Sequence, residues 1–290
     1  MNPFSSVTII GYGAVGSSLV DFFRHSGINL KSVWDRKPEV ALLSDGKELK
    51  PAGKAMPDSA DETGELILIS VPDAAIPEIV KKLSAITGDL TGKYIAHLSG
   101  SRSAEILSSL KKSGASTASI HPLQTFPGKG GRSRLNGIRF TLQGDDQFLD
   151  RLEVLVKLMG SSSIKVNEKQ KTLLHLTAVF ASNYMISLLD IANEVAEAGK
   201  IDNSLELLEP ILRQTLDNIL TDGTSVSLSG PVSRGDTATI IGHIEMLRNH
   251  AELLHAYKLL GNRALKIAEI SNRITPEKVS ELKKLFEFEE

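Results

Sequence analysis

The sequence contains no cysteine. This absence excludes a disulfide framework, a thiolate metal site and a cysteine nucleophile. The chain also has no surplus of either charge, because 33 lysines and arginines oppose 35 aspartates and glutamates, giving a formal net charge of −2. A balanced chain without a basic block lacks the electrostatic footprint of a protein that binds nucleic acid or an acidic membrane surface. We therefore expect neither nucleic acid nor a membrane among its partners.

The N-terminus lacks the basic segment and long apolar run of a secretory signal and moves directly into a strand pattern. We therefore predict a cytoplasmic protein. One stretch, between Lys171 and Asp190, is uncharged and almost long enough to cross a bilayer. Because it also contains His175, Asn183 and several hydroxyl side chains, it favours a helix that is buried on several faces inside protein.

A metal-ligand pattern is also missing from the sequence. His243 and His250 share a helix face, but no carboxylate completes a known ligand spacing, and His255 lies off that face. We predict no metal site. The serines have no nucleophile-elbow sequence around them, which argues against a serine–histidine hydrolase.

The pattern of apolar residues changes near residue 165. Before it, short β-branched runs alternate with amphipathic segments, and after it the strand signals stop and helical patterns continue. This predicts an α/β fold, with an N-terminal doubly wound parallel sheet of the Rossmann type over residues 1–165 and an all-α domain over residues 166–290. Within the second domain we expect one long helix over 169–198 and a loop rich in glycine and serine over 221–235.

The strongest single motif is Gly11-x-Gly13-x-x-Gly16, which follows the first predicted strand and opens a helix. The first glycine permits a tight turn, the second lets the backbone approach a pyrophosphate, and the third lets the helix pack closely on the strand. The free N–H groups at the helix N-terminus then face the phosphates. The residues predicted to bind a dinucleotide here are Gly11, Tyr12, Gly13, Ala14, Val15 and Gly16.

Two cues about the dinucleotide conflict. Asp35 ends the second predicted strand nineteen residues after Gly16, where a carboxylate can accept hydrogen bonds from the adenine ribose and favours NAD. Arg36 and Lys37 follow at once and can hold the 2′-phosphate of NADP. The cofactor is therefore NAD or NADP, with the preference open.

Ligands of an open parallel sheet lie beyond the carboxyl ends of its strands. Val71 and Pro72 follow one predicted strand, where they can form the wall near the nicotinamide or, for Pro72, only end the strand. Ser99 follows the next predicted strand and is a candidate substrate contact. His121 precedes a proline, which forces an extended backbone there. It can serve as an acid, a substrate donor or a cofactor contact, or else only bond a neighbouring carbonyl in a rigid turn.

The long helix carries further candidates. His175 and Asn183 fall on the same side of an ideal helix, so they either face a ligand as catalytic groups or are satisfied inside the core. Three lysines, Lys165, Lys169 and Lys171, come before the uncharged stretch of this helix. A lysine there can serve dehydrogenase chemistry, but the pattern favours a solvated helix start.

The segment 229–236 combines glycines, a proline and one cation, Arg234. A guanidinium can hold a substrate carboxylate or a cofactor phosphate by two parallel hydrogen bonds. Asp236 either joins it at the substrate or caps the following helix. His243 lies seven residues further along the same helix face and is predicted to point toward the same site.

Several segments together resemble one group of proteins. They are HLSG at 97–100, SIHPLQTF at 119–126, HLTAVFASNY at 175–184 and SGPVSRGDTATIIGH at 229–243. The chain resembles Rossmann-like proteins with a helical C-terminal domain of unknown function, relatives of pyrroline-5-carboxylate reductase and of 6-phosphogluconate-dehydrogenase-like enzymes. The resemblance implies an NADP-dependent oxidoreductase that forms a homodimer through its helical domain, with the active site between the domains. The Asp35-Arg36 pair departs from the small or basic residues that NADP-using relatives tend to have there.

These observations lead to two hypotheses. The first is an NAD(P)-dependent reductase or dehydrogenase that transfers a hydride to or from a C=O or C=N bond of a small, anionic substrate. Its leading protein groups are His121, His175, Asn183 and Arg234. The second is a dinucleotide-binding sensor or scaffold that uses the same fold without turnover.

Overall fold

The computed structural model describes residues 2–36, 41–42, 48–49, 56–86 and 88–287. The chain divides into two compact units, Met1–Asn183 and Tyr184–Glu290. The last strand ends at Lys165, where the sequence predicts that strand–helix alternation stops. The first unit continues beyond that point because the next helix packs on the sheet through the buried side chain of Lys171.

The first unit contains a seven-stranded sheet within the described residues. Its strands are β1 (Ser6–Ile10), β2 (Asn29–Trp34), β5 (Leu66–Ile69), β6 (Tyr94–His97), β7 (Ser116–Leu123), β8 (Arg139–Gly144) and β9 (Ser162–Lys165). Two short strands, β3 (Ala41–Leu42) and β4 (Glu48–Leu49), pair with each other in antiparallel fashion. The helices of this unit are α1 (Ala14–His25), α2 (Ile76–Leu83), α3 (Ser108–Lys112), α4 (Asp146–Leu158) and α5 (Glu168–Ala178).

The strand order is β2-β1-β5-β6-β7-β8-β9. Every neighbouring pair is parallel except β7 and β8, which are antiparallel, so the sheet is mostly but not wholly parallel. The reason lies in the connection between β7 and β8, which contains only the short 3₁₀ turn Arg132–Leu135. Two parallel neighbouring strands are usually joined by a crossover that contains an α-helix. The segment between β7 and β8 contains no α-helix among its described residues, and the chain reverses its direction there.

Helices cover both faces of the sheet, which confirms the predicted doubly wound architecture. On one face, α1 and α4 bury an apolar cluster that includes Phe23 and Phe148, and on the other α2 and α3 bury a cluster that includes Ile79 and Leu110. The strand β5 reads Leu-Ile-Leu-Ile, and all four residues are buried. A continuous apolar strand of this kind fits a sheet covered on both sides.

The second unit is helical in its described residues. Its helices are α6 (Tyr184–Ala198), α7 (Ser204–Ser227), α8 (Pro231–Arg234), α9 (Thr237–Leu247), α10 (Ala251–Ile270) and α11 (Pro276–Phe286). An apolar cluster centred on Ile240, Leu265 and Phe286 holds the last three helices together. The predicted loop over 221–235 is shorter in the structure, because α7 continues to Ser227 beyond a non-helical Gly223.

The predicted long helix over 169–198 is interrupted in the structure by a π-helical turn, Val179–Asn183, between α5 and α6. The whole segment Glu168–Ala198 is long and apolar enough to cross a membrane by length and composition, yet none of its most apolar window is buried within the chain. Burial on several faces inside protein was expected, and the single chain does not provide it.

Candidate active site

The glycine-rich turn follows β1 and needs two of its glycines for steric reasons. Gly11 has a φ of +102°, and a Cβ on it would lie 2.1 Å from the carbonyl oxygen of Ser70. A Cβ on Gly16 would lie 2.0 Å from the carbonyl oxygen of Gly11. Real Cβ atoms do not approach backbone oxygens so closely, so the turn and the helix α1 fit together only with glycine at these positions.

Gly13 differs, because a Cβ on it would meet nothing within 4 Å. It is the N-cap of α1, where no side chain caps the helix and no acidic residue stands in the first turn. Ala14 and Val15 follow as the first helical residues and are partly exposed. The turn therefore leaves an open cradle beside free N–H groups and the positive end of the helix dipole, which fits a pyrophosphate.

A cavity of about 180 Å³ lies beside this turn. Predicted cofactor residues among those that line it are Gly11, Gly13, Asp35, Arg36, Val71 and Pro72. The Tyr12 N–H donates a hydrogen bond to Asp35 Oδ2 at 2.7 Å, so the carboxylate that follows β2 is fixed at the wall of the cavity. Arg36 is exposed beside it. Lys37 lies outside the described residues.

A second polar cluster lies where β6 ends. His97 is fully buried, accepts a hydrogen bond from the Ser99 N–H at Nδ1 and lies 3.2 Å from the Ser103 carbonyl oxygen through Nε2. Burial, with a smaller effect of the Lys171 charge, lowers the pKa of the His97 imidazole to about 4. A neutral ring with both nitrogens engaged fixes the backbone of the HLSG segment.

Lys171 is the central group of this cluster. Its side chain is only 3% exposed, and its ammonium donates hydrogen bonds of 2.7 Å to the Ser99 carbonyl oxygen and to Ser119 Oγ. Burial lowers the pKa of this amine to about 8, although the negative charge of Asp73 opposes the shift. An amine that titrates near neutrality can donate or accept a proton under working conditions.

The prediction of a solvated helix start is wrong for Lys171. The side chain of Asn167 accepts from the Gln170 N–H and that of Gln170 accepts from the Asn167 N–H, so a capping box fixes the first turn of α5. In the resulting orientation of α5, the side chain of Lys171 contacts the sheet. Lys165 and Lys169 are exposed, as predicted for that segment.

Two predicted histidines meet next to this lysine. The ring centroids of His121 and His175 lie 6.1 Å apart in an edge-to-face arrangement. A Cβ on Gly100 would lie 2.6 Å from His121 Nε2 and 2.7 Å from His175 Nδ1, so both nitrogens converge on this glycine. His121 Nδ1 lies 2.9 Å from the Leu98 carbonyl oxygen, which leaves Nε2 as an acceptor in the neutral ring.

The electrostatics favour a neutral His121 beside an ionised carboxylate. Burial lowers the pKa of His121 to about 4, although its bond to the Leu98 carbonyl oxygen opposes the shift. Burial raises the pKa of the Asp73 carboxyl, but hydrogen bonds from Ser101 and Ser99 outweigh that effect and leave the pKa lowered. The Ser101 hydroxyl donates to Asp73 Oδ2 at 2.5 Å. The cluster therefore combines hydrogen-bond acceptors with one titratable amine.

Asn183 lies in the π-helical turn and is exposed. The expectation that it shares a face with His175 assumes 100° per residue, and that step does not hold across a π-helical turn. Its predicted catalytic role stays a prediction.

The other predicted site residues lie in the second unit. Asp236 is the N-cap of α9 and accepts hydrogen bonds from the N–H and the hydroxyl of Thr239, which is the structural alternative considered above. His243 Nδ1 lies 2.9 Å from the hydroxyl of Tyr257. Arg234 is exposed at the end of α8. Substrate binding by Arg234, Asp236 and His243 stays a prediction.

Sequence reasoning did not identify His97 as a site residue, and it set Lys171 aside in favour of a solvated helix start. A signal for Lys171 exists, because it precedes His175 by four residues and therefore lies on the same helix face. His97 belongs to the quoted HLSG segment but reads as an ordinary strand residue, since its burial depends on packing by the segment 103–107.

We expect His97 to make the protein sensitive to acid. Its pKa is about 4 in the folded chain and near 6.5 in the unfolded chain, so between these values the unfolded chain binds the extra proton. His97 should therefore account for about 3 kcal/mol of the fall in the free energy of unfolding as the pH is lowered from 6.5 to 4, in addition to the part contributed by His121. Urea unfolding of wild type and His97→Gln across this range measures the effect. The variant should lose this part of the decline, whereas exposed His250→Gln should keep it; an equally steep decline in His97→Gln contradicts the prediction.

A glycine-rich turn at the carboxyl edge of a doubly wound sheet is the architecture of Rossmann-type dinucleotide-binding domains. Residues 2–122 match the model of the Rossmann-like domain. Residues 138–264 match the model of a domain of unknown function, DUF2520. The models of the Rossmann-like domain and of DUF2520 thus match consecutive parts of the chain, which confirms the resemblance read from its motifs.

Solved structures share the fold over nearly the whole chain. A candidate NADP oxidoreductase from Bacteroides fragilis is 18% identical with a TM-score of 0.68, covering 92% of this chain and 100% of its own. A reductive aminase from Aspergillus terreus in complex with NADPH4, cyclohexanone and allyl amine is 18% identical with a TM-score of 0.63, covering 98% and 100%. An imine reductase from Myxococcus stipitatus in complex with NADP⁺ is 14% identical with a TM-score of 0.59, covering 92% and 94%. No curated protein matches the sequence.

Proposed function

We propose that this protein is an NAD(P)-dependent oxidoreductase that transfers a hydride between nicotinamide and a C=O or C=N bond of a small, anionic substrate. One observation carries the proposal. Within the first unit, a cradle for a pyrophosphate follows β1, and the ammonium of a buried lysine with a lowered pKa donates to the Ser99 carbonyl oxygen just beyond β6, so both groups lie at the carboxyl ends of strands that run in the same direction. A structural role alone does not explain why a buried amine stands at the edge where ligands of this fold bind.

The residues divide the chemistry between them. Bound nicotinamide supplies or accepts the hydride. In the direction of reduction, the Lys171 ammonium donates a proton to the heteroatom of the double bond, and in oxidation the neutral amine takes it back. The carbonyl of Ser99 and the hydroxyl of Ser119 hold the amine in place. The same chemistry serves a carbonyl and an imine.

The two histidines bind and orient the substrate in this proposal. His121 presents Nε2 as an acceptor because its Nδ1 is held at the Leu98 carbonyl, and His175 faces it across Gly100. Arg234 remains the predicted anchor of a substrate carboxylate.

Purified protein tests the function directly. We expect oxidation of NADPH or NADH, followed by the absorbance of the reduced nicotinamide, with at least one member of a panel of small ketoacids and cyclic imines. His175→Ala should abolish turnover and leave the affinity for the dinucleotide unchanged. Tight binding of the dinucleotide without turnover across the panel would favour a sensor or scaffold over an enzyme.

The choice of dinucleotide depends on Asp35 in this proposal. A carboxylate at the end of β2 repels a 2′-phosphate, so NADH should bind more tightly than NADPH. Asp35→Ser should reverse the preference by about tenfold or more, because it removes the repulsion and leaves Arg36 available. Calorimetric titration of both dinucleotides into both proteins measures this. The idea fails if the wild type already binds NADPH at least as well as NADH.

We further propose that two copies of the chain form a homodimer through the helical unit. Apolar side chains along α6 and α7 are exposed in the single chain, among them Ile186 at 66% and Leu207 at 65%. A monomer in water rarely exposes so many large apolar groups, and a second copy is the occupant that the family resemblance implies.

Sedimentation equilibrium tests the dimer. Wild-type protein should sediment at twice the mass of the chain without detergent. Ile186→Glu should produce monomers, whereas Leu158→Glu, which changes an exposed apolar residue of α4, should not. A wild-type monomer, or partition of the protein into lipid vesicles, would contradict the proposal.

A further inference from the structure

A basic, glycine-rich segment crosses the start of α1 and takes no part in the chemistry described above. This segment, Pro127–Gly131, is called the strap here and reads Pro-Gly-Lys-Gly-Gly. It follows β7, and the sequence continues with Arg132 and Arg134 in the 3₁₀ turn. The strap is exposed along most of its length.

Hydrogen bonds fasten the strap to the helix that follows the glycine motif. The Gly130 N–H donates to Ser17 Oγ at 3.1 Å, and Ser18 Oγ donates to the Gly130 carbonyl oxygen at 3.2 Å. Just beyond the strap, the Arg132 N–H donates to Oδ2 of the buried Asp21 at 2.8 Å. These bonds fix the strap against the first turns of α1.

The fastening places one cation against the side chain of Tyr12, a residue of the glycine motif. Lys129 Nζ lies 4.9 Å from the centre of the Tyr12 ring, and Tyr12 stands between the first two glycines of the motif. Among the described residues, no carboxylate forms an ion pair with Lys129. An aromatic face attracts a cation only weakly, so the ammonium stays available to a stronger, anionic partner.

We propose that Lys129 is a phosphate ligand that the strap holds over the glycine-rich turn, where it binds the pyrophosphate of the dinucleotide. This inference rests on the proposed function, because it deepens the same site. Backbone N–H groups at the start of α1 would hold the phosphates, and the Lys129 ammonium would add a full positive charge from the strap. The two serines that follow the glycine motif then have a role, which is to set the position of the strap.

The expected effect is a general loss of affinity for molecules that contain the pyrophosphate. Lys129→Gln should weaken NADH, NADPH and ADP-ribose by a similar factor of about tenfold, since all three share this group. The slope of log Kd against log salt concentration should become shallower, because one charge contact is lost. Lys129→Arg should restore most of the affinity. Lys112→Gln, an exposed lysine of α3, serves as the matched control and should bind like the wild type.

Isothermal titration of wild type and variants separates the possible failures, with circular dichroism to show that each variant is folded. Wild-type protein that binds neither dinucleotide overturns the proposed function and this inference together. Binding by wild type with an unchanged Kd in Lys129→Gln overturns the role of the strap alone. A loss for NADPH without a loss for NADH or ADP-ribose also overturns it, because the lysine would then contact the 2′-phosphate.

Discussion

Replacing Lys171 with methionine should lower kcat by about a thousandfold while the Kd of the dinucleotide stays within about twofold of wild type. Methionine retains much of the apolar stem of lysine but has no proton to donate. In the proposed function the amine acts at the reacting double bond and the glycine-rich turn binds the dinucleotide, so the loss should appear in kcat. Steady-state kinetics with the best substrate of the panel, together with calorimetric titration of the dinucleotide, measures both quantities.

The pH profile distinguishes proton transfer from a structural role. Burial lowers the pKa of Lys171 to about 8, so the ammonium is lost above that pH. In the reductive direction, kcat/KM should therefore fall about tenfold for each pH unit above 8. In the oxidative direction, the neutral amine accepts the proton, so the rate should rise through the same pH. The residual activity of Lys171→Met should show neither the fall in the reductive direction nor the rise in the oxidative direction.

Lys169→Met is the matched control, because Lys169 stands two residues earlier on the same helix and is exposed. It should retain wild-type kinetics and the wild-type pH profile. Catalytic assignment of Lys171 would have to be abandoned if the methionine variant kept its kcat, or if it lost activity only together with its dinucleotide affinity and its folded structure.

The fold could be predicted largely from local patterns. The continuous apolar run of β5 and the turn after β1 are encoded within a few residues, and the structure forms both where the sequence predicts them. The reversed direction of β8 could not be predicted in this way, because strand direction depends on the path of the connection and not on the strand's own residues.

The same distinction between local and long-range determinants applies to the residues of the candidate site. The position of Gly13 at the start of α1 is predictable because it depends on the immediate neighbours of Gly13 in the sequence. The burial of Lys171 depends on Ser99 and Ser119, which lie 72 and 52 residues away along the chain, so a lysine near a helix start reads as solvated. The position of Asn183 was obscured by a π-helical turn, which an ideal helical period does not include.

Gly13→Ala should weaken binding of NADH and NADPH by about a hundredfold and leave the fold intact. Gly13 has φ −83° and ψ −156°, an extended conformation that alanine adopts, and the added Cβ would meet nothing within 4 Å in the protein. The free energy of unfolding should therefore stay the same or rise by about 0.5 kcal/mol, as expected when a glycine is replaced at a compatible position. The methyl group instead projects into the cradle where the pyrophosphate would lie.

Gly16→Ala provides the contrast, because its Cβ would lie 2.0 Å from the carbonyl oxygen of Gly11. That substitution forces the helix away from the turn and should reduce the free energy of unfolding by about 3 kcal/mol. Urea unfolding and calorimetric titration of both variants separate the two kinds of glycine. If Gly13→Ala binds either dinucleotide as tightly as the wild type, the phosphates do not contact this turn, and a hydride-transfer role loses its structural basis. If it is also unstable, the space around Gly13 serves the fold and not a ligand.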